Sequence, residues 1–206
     1  MRWVWLGLVS LMFSTQSIAE SFSPIDVVKI INFECTHCAQ SNGLDNAFRK
    51  ELKKYKARLV IAPVSTDTAN NAKDRVFYAI KKVNEDASFW AKDYIFKAYH
   101  EFSMKLDDTY QVEEWLKQEM QNSPYANLAW DDIAKLYFTK DTDKTMIRAY
   151  NLVIQNDLEN LPAFLFIKEG KVIKVIDYSE DKGIKGLKKI YILSMIKQEN
   201  NTIFLK

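Results

Sequence analysis

The sequence predicts an α/β protein with a mixed central sheet, helices packed against that sheet, and an all-helical segment inserted between two of its strands. Three observations support this prediction. Two apolar runs enclose one helical pattern at residues 25–64, five helical patterns follow over about residues 69–155, and two more apolar runs lie within residues 163–176. Strands divided by a helical block favour one sheet covered by helices, because each apolar face must be buried against another element.

The first strand is predicted over residues 25–33. Its sequence, IDVVKIINF, is apolar and β-branched almost throughout, which is typical of a central strand buried on both faces. Residues 36–55 then show apolar positions at helical spacing opposite a basic face, and Gly43 weakens this helix. A second strand is predicted over residues 59–64, where Pro63 indicates the end of the strand or an edge position.

The helical segment is predicted to contain five amphipathic helices that bury their apolar stripes. Breaks fall at residues 107–109 and 121–124, the second because proline after Ser123 favours a stop and a restart. The stripe of the second helix is Phe89, Trp90, Tyr94, Ala98 and Phe102, and most of the aromatic residues in these stripes are expected to lie in the core. The fifth helix is formed by Met146, Ala149, Tyr150, Val153 and Ile154.

The last part of the chain returns to strands. Residues 163–167 and 172–176 predict two strands joined by a hairpin turn at residues 168–171. An amphipathic helix over residues 181–198 is predicted to close the fold. The predicted order is strand, helix, strand, five helices, strand, strand, helix.

The start of the chain has the pattern of an export signal. A short positive beginning is followed by an apolar run over residues 3–13 and a polar tail ending in Ser17-Ile18-Ala19. We therefore predict a signal peptide over residues 1–19, cleaved after Ala19. The apolar run is about half of the roughly 20 residues that span a bilayer, which disfavours an uncleaved anchor. Residues 20–206 are expected to form a single domain outside the cytoplasm.

The charge distribution argues against a nucleic-acid partner. The chain has 29 basic and 27 acidic residues, a formal net charge of +2, and the two signs are mixed along it. Nucleic-acid binding needs a concentrated basic face. The two most basic segments, residues 50–58 and 182–189, have the pattern of solvated helix faces.

Cys35 and Cys38 are the only cysteines in the chain. They lie where the first helix is predicted to begin, so that both thiols share one face and are close enough for a small, reversible disulfide. So short a loop constrains the unfolded chain little, which disfavours a purely structural bridge. Half of a zinc site is the alternative, but no second cysteine pair exists and His100 is the only histidine besides His37.

The element order and two local motifs resemble those of the DsbA-like thiol:disulfide oxidoreductases. Cys35-Thr36-His37-Cys38 lies between the first strand and the first helix, and a histidine precedes the second cysteine as in that family. Asn160-Leu161-Pro162-Ala163 opens the third strand, where thioredoxin-like proteins hold a cis-proline. The resemblance covers roughly residues 25–198. It implies a thioredoxin fold within residues 20–206 and a helical insertion at about residues 68–156.

The resemblance also implies roles for individual residues. Cys35 would face unpaired N–H groups and the positive end of the helix dipole, and would form the low-pKa thiolate that makes a mixed disulfide with substrate. Cys38 would be the more buried partner, and a protonated His37 would add favourable charge. The backbone at Leu161 and Pro162, joined by a cis bond, would pair with the substrate chain near the sulfur.

The reaction implied by the resemblance is donation of the disulfide to reduced, folding exported proteins in the periplasm. No cofactor or metal is expected beyond the Cys35–Cys38 disulfide itself. Recycling would fall to a membrane oxidase that resembles DsbB, and we expect a monomer.

Two departures from the family pattern leave the redox potential open. Lys29 stands six residues before Cys35, where thioredoxin-like proteins usually have a buried carboxylate, and Glu34 directly precedes Cys35. A disulfide isomerase or reductase on the same scaffold is the enzymatic alternative. The alternative from another class is a non-catalytic metal-binding module built from Cys35, His37 and Cys38, which would need a fourth donor.

Overall fold

The computed structural model describes residues 25–65 and 71–176. The predicted signal peptide and the predicted closing helix lie outside the described residues. Within them, one sheet has the strand order β2-β1-β3-β4, in which β1 runs parallel to β2 and antiparallel to β3, and β3 runs antiparallel to β4. The predicted mixed sheet is therefore confirmed. The strands are β1 (Asp26–Ile31), β2 (Arg58–Pro63), β3 (Ala163–Lys168) and β4 (Lys171–Ile176).

Five α-helices lie between β2 and β3, as the periodicity predicts. In the described part of the chain no helix is long and apolar enough to cross a membrane. A short 3₁₀ helix, Met120–Asn122, directly follows the α-helix that ends at Glu119. The α-helices are α1 (Thr36–Asn42), α2 (Asp45–Lys53), α3 (Ala72–Val83), α4 (Glu85–His100), α5 (Thr109–Glu119), α6 (Trp130–Ala134) and α7 (Lys140–Gln155).

β1 lies between two neighbours and forms the centre of the core. Val27, Ile30 and Ile31 are fully buried, and pairing on both edges satisfies the backbone groups that this burial removes from water. β2 borders the described sheet and ends at Pro63, a position that tolerates a residue without an N–H group.

β3 and β4 form the predicted hairpin. Glu169 and Gly170 at its turn have φ angles of 50° and 76°. Two consecutive residues with positive φ give the tight turn whose twist matches that of the strands.

The region predicted as one helix over residues 36–55 forms two helices, which are separated at Gly43, the residue predicted to weaken it. The chain breaks at Gly43 and Leu44, where the Leu44 N–H donates to the Ser41 carbonyl at 3.2 Å, and a new helix begins at Asp45. Glycine weakens a helix because it gives up more backbone freedom than any other residue. The break brings the Asp45 side chain into the interior, where it is buried.

The apolar stripes predicted for the helices that form α4 and α7 include residues outside the faces that these helices bury. Trp90 and Phe102 are 39% and 53% exposed, and on α7 Tyr150 and Ile154 are also exposed. Neighbouring helix positions point about 100° apart, so one wide stripe extends beyond the buried face. Phe102 also lies past the end of α4 and packs its ring on Trp115 at 5.5 Å.

Phe33 joins the helical insertion to the sheet. It directly precedes the cysteine segment and is 2% exposed. Its ring centroid lies 6.1 Å from that of Phe77 in α3 and 5.2 Å from that of Phe96 in α4. The aromatic contacts fix the insertion against the end of β1.

We expect Phe77→Ala to lower the free energy of unfolding by about 3–5 kcal/mol, since it leaves a cavity where a fully buried ring packed. Tyr110→Ala is the matched control, because Tyr110 is 70% exposed and its loss should change stability by no more than about 0.5 kcal/mol. Urea unfolding of the reduced proteins, followed by circular dichroism, measures both. Equal effects of the two substitutions would contradict this packing.

Candidate active site

Cys35 is the N-cap residue of α1. The chain turns after β1 with two hydrogen bonds to Asn32: the Cys35 N–H donates to its backbone carbonyl at 3.1 Å and the Glu34 N–H to its side-chain oxygen at 2.7 Å. Cys35 Sγ accepts a hydrogen bond from the Cys38 N–H at 3.1 Å. The sulfur thus occupies the place of a capping oxygen, at the positive end of the helix dipole.

The half-buried Cys35 sulfur lies in surroundings that favour its thiolate. The pKa of Cys35 is lowered to about 6, first by a hydrogen bond from the Cys38 side chain, and further by the N–H groups of Cys38 and His37 and by positive charge on His37. Burial opposes this shift. A thiol with such a pKa is mostly ionised at neutral pH, which makes it a nucleophile and a good leaving group.

Cys38 has the opposite character. It is fully buried within α1, and burial is the main cause that raises its pKa above the ordinary thiol value, followed by its hydrogen bond to Cys35. Both cysteines are free thiols in this structure. The two thiols are therefore unequal, with one accessible and acidic and the other enclosed and neutral.

Leu161 and Pro162, which directly precede β3, lie next to Cys35 although they are more than 120 residues away in sequence. The bond between them is cis, and the Cys35 thiol lies 3.5 Å from the Leu161 carbonyl, to which it donates. The structure thus brings together all five residues that the sequence singled out for the site: Cys35, His37, Cys38, Leu161 and Pro162.

The helical insertion supports the turn before Cys35 through two residues that the sequence patterns missed. His100 Nε2 donates to the Phe33 carbonyl, with 3.0 Å between the two atoms, and Lys73 Nζ lies 3.2 Å from the Glu34 carboxylate. Lys73 is almost fully buried, whereas the Glu34 side chain is 43% exposed. The negative charge that precedes Cys35 is therefore matched by a cation of α3.

Lys29 lies in the interior with a carboxylate partner that the sequence patterns also missed. Its ammonium lies 2.6 Å from Asp45 Oδ1, and Lys92 Nζ lies 2.7 Å from Asp45 Oδ2. The pKa of Lys29 is lowered chiefly by burial, and Asp45 opposes that shift by favouring the charged form. Asp45 is the first residue of α2. The one sequence signal that could have suggested its buried position is Gly43, which weakens the predicted helix just before it.

The described residues offer no ready metal site. Across residues 25–65 and 71–176, no group of three or more His, Cys, Asp or Glu side chains could hold a metal ion. The fourth donor that a Cys35–His37–Cys38 metal site would need is not supplied from this part of the chain.

We expect the alkylation rate of the reduced protein by iodoacetamide to rise with pH with a midpoint near pH 6, the pKa of Cys35. The rate falls below this pH because only the thiolate reacts, and Cys38 is too buried to contribute. Cys38→Ala should move the midpoint upward, since it removes the largest cause of the lowered pKa. A wild-type midpoint near the ordinary thiol value of about 8.5 would contradict this electrostatic account.

Comparison with known proteins identifies the architecture. No protein-family model matches the chain, and no curated protein gives a significant sequence match. Solved structures do match. Pseudomonas aeruginosa DsbA superposes with a TM-score of 0.68 at 16% identity, covering 88% of this chain and 86% of that one. The oxidoreductase NmDsbA1 of N. meningitidis gives 0.63 at 17% identity, covering 87% and 86%.

A third match is the oxidoreductase DsbA of Xylella fastidiosa, with a TM-score of 0.68 at 13% identity over 87% of this chain and 88% of that one. These identities are low, whereas the coverage is nearly complete in both directions. The protein therefore has the DsbA-like form of the thioredoxin fold, with a helical insertion between its second and third strands.

Proposed function

We propose that the protein is a thiol:disulfide oxidoreductase that oxidises reduced, folding exported proteins with its Cys35–Cys38 disulfide. The observation that carries this proposal is the inequality of the two thiols. Cys35 is half-buried with a pKa of about 6, whereas Cys38 is fully enclosed and holds its proton. Disulfide exchange needs one sulfur that substrate can reach and one that closes the pair without competing for substrate.

The proposed reaction has two exchange steps. A substrate thiolate attacks Cys35 Sγ of the disulfide, forming a mixed disulfide, and Cys38 leaves as a thiolate that takes up a proton. A second substrate thiolate then attacks the substrate sulfur of the mixed disulfide and expels the Cys35 thiolate. The substrate loses two electrons and gains a disulfide, and the protein is left as the dithiol.

The low pKa of Cys35 supports the oxidising direction. A stabilised thiolate stabilises the reduced protein, which makes its disulfide a stronger oxidant. The pKa of Cys35 is lowered in the folded protein, so the reduced protein is stabilised through its thiolate. This stabilisation is fully present at pH values above the ordinary thiol pKa. It is lost as the pH falls through about 6.

The Leu161 backbone is the proposed contact for the substrate chain. Its carbonyl already lies 3.5 Å from Cys35 Sγ, within reach of a peptide that is joined to that sulfur. Pairing with backbone groups makes little demand on substrate sequence. A broad range of unfolded chains is therefore the proposed substrate class.

The proposed setting is the periplasm, reached through the signal peptide over residues 1–19. The reduced protein must pass its two electrons on before it can act again, and the proposed acceptor is a membrane oxidase that resembles DsbB. The resemblance to the DsbA-like oxidoreductases supports this setting, because it implies an exported protein. We propose that the protein works as a monomer.

In glutathione buffers at pH 7, we expect the Cys35–Cys38 pair to equilibrate at a potential far above that of thioredoxin, which is about −270 mV. Trp fluorescence or thiol labelling follows the reduced fraction. His37→Ala should lower the potential, because positive charge on His37 helps to stabilise the Cys35 thiolate. A potential close to that of thioredoxin would overturn the oxidase and favour a reductase.

The roles of the two thiols can be separated with a disulfide-containing peptide. We expect Cys38→Ser to accumulate a stable mixed disulfide with the peptide, since Cys35 attacks and no second thiol resolves the product. Cys35→Ser should form none, because Cys38 is enclosed. Non-reducing electrophoresis with mass spectrometry distinguishes the two variants, and the reverse pattern would exchange the assigned roles.

A further inference from the structure

Three charged side chains form a buried cluster at the junction of β1, α2 and α4. Lys29 and Lys92 bind opposite oxygens of Asp45 at 2.6 and 2.7 Å, and the three side chains are between 1% and 4% exposed. Desolvating three charges costs several kcal/mol for each ion. Because apolar residues would often stabilise a fold as well or better, stability is a poor explanation for this Lys29–Asp45–Lys92 cluster.

The cluster lies on the side of α1 that carries Cys38. Asn42 is one helical turn after Cys38 and shares its face, and the Asn42 side-chain oxygen accepts a hydrogen bond from Lys92. Lys29 reaches the same region from β1 and favours the negative form of Cys38 electrostatically. The enclosed thiol therefore has a cation as a neighbour.

With both lysines protonated and Asp45 ionised, the buried part of the cluster carries one net positive charge. Asp93 also lies 3.0 Å from Lys92, but its side chain is 40% exposed, so water and salt screen its charge. Inside the protein, charges act more strongly on one another than in water. Of the two cysteine sulfurs, Cys38 is the one on which Lys29 acts.

We propose that the Lys29–Asp45–Lys92 cluster stabilises the transient thiolate of Cys38 during disulfide exchange, with Lys29 as the residue that acts on the sulfur. The inference rests on the proposed function. When a substrate thiolate attacks Cys35, the bond between the two cysteines breaks and Cys38 departs with the electron pair. When the mixed disulfide closes again, Cys38 gives up its proton to water and attacks Cys35 Sγ, and the bond from Cys35 to the substrate sulfur breaks as the substrate leaves as a thiolate. Both directions pass through the same buried anion.

This role predicts a kinetic effect without an equilibrium effect. At neutral pH Cys38 is uncharged in both end states, as half of a disulfide or as a thiol that burial keeps protonated. A positive charge next to it stabilises neither end state but lowers the barrier between them. The rates of opening and closing should therefore change by the same factor.

The test compares Lys29→Met with Lys92→Met in the mature chain. Both substitutions remove one positive charge from the cluster and one partner from Asp45, so they match in charge and in lost contact. With glutathione at pH 7, quenched-flow alkylation gives the rate at which glutathione opens the disulfide and the rate at which the mixed disulfide closes. We expect Lys29→Met to slow both rates about tenfold, the effect of one pKa unit on thiolate formation. Lys92→Met should slow both rates by a clearly smaller factor, because Lys29 is the lysine that acts on Cys38, and the equilibrium constant of the step should stay within about threefold in both variants.

Equal slowing by the two substitutions would overturn the inference, as would a shift of the equilibrium constant with unchanged rates. If the wild type does not exchange with glutathione, the proposed function itself fails, which is a different result. If Lys29→Met does not fold, Lys29→Gln removes the charge and keeps a hydrogen-bond donor for Asp45. Lys29→Gln should show the same tenfold slowing, and wild-type rates in it would overturn the inference.

Discussion

The site depends on the hydrogen bond by which the Cys38 N–H caps α1 on Cys35 Sγ. A helix must find acceptors for its first N–H groups, and here a sulfur serves in place of an oxygen. A thiolate accepts such bonds better than a thiol, so the cap that starts the helix also lowers the pKa of Cys35, in addition to the larger effect of the Cys38 side chain. The position of Cys35 Sγ is fixed because β1 pairs with a strand on each side and the chain enters α1 a few residues after β1 ends.

The helical insertion takes part in the site although it lies more than thirty residues away in sequence. Lys73 of α3 pairs with Glu34, and His100 at the end of α4 binds the Phe33 carbonyl. Lys92, also in α4, reaches Asp45 at the start of α2. Each contact joins the insertion to a different part of the segment around the cysteines. The insertion therefore contributes charge and position to the thioredoxin-like core as well as covering it.

Within the described residues, periodicity was enough to predict the order of the elements apart from the division of the first helix into α1 and α2, because strands and helices repeat their apolar residues at different spacings. The cysteine pair could be located from the sequence because two cysteines three positions apart at the start of a helix can already form a reversible disulfide. The partners of Lys29 and Glu34 could not, since Asp45 and Lys73 follow them by 16 and 39 positions and only the folded chain brings the charges together. The exposure of Trp90 depends in the same way on which helices pack nearby, and a single helical pattern does not contain that information.

Lys29 and Glu34, the two departures from the usual pattern, have unequal consequences once their surroundings are known. Glu34 is half in water and is matched by Lys73, so its negative charge has little effect on Cys35. Lys29 is enclosed in the core, where water does not screen its charge. It shares the single carboxylate of Asp45 with Lys92, so the two lysines together exceed that negative charge by one. A buried carboxylate at this position would oppose a Cys38 thiolate until it took up the proton itself. A buried cation favours the thiolate directly, and the proton that Cys38 gives up then passes to water rather than to a carboxylate beneath the disulfide.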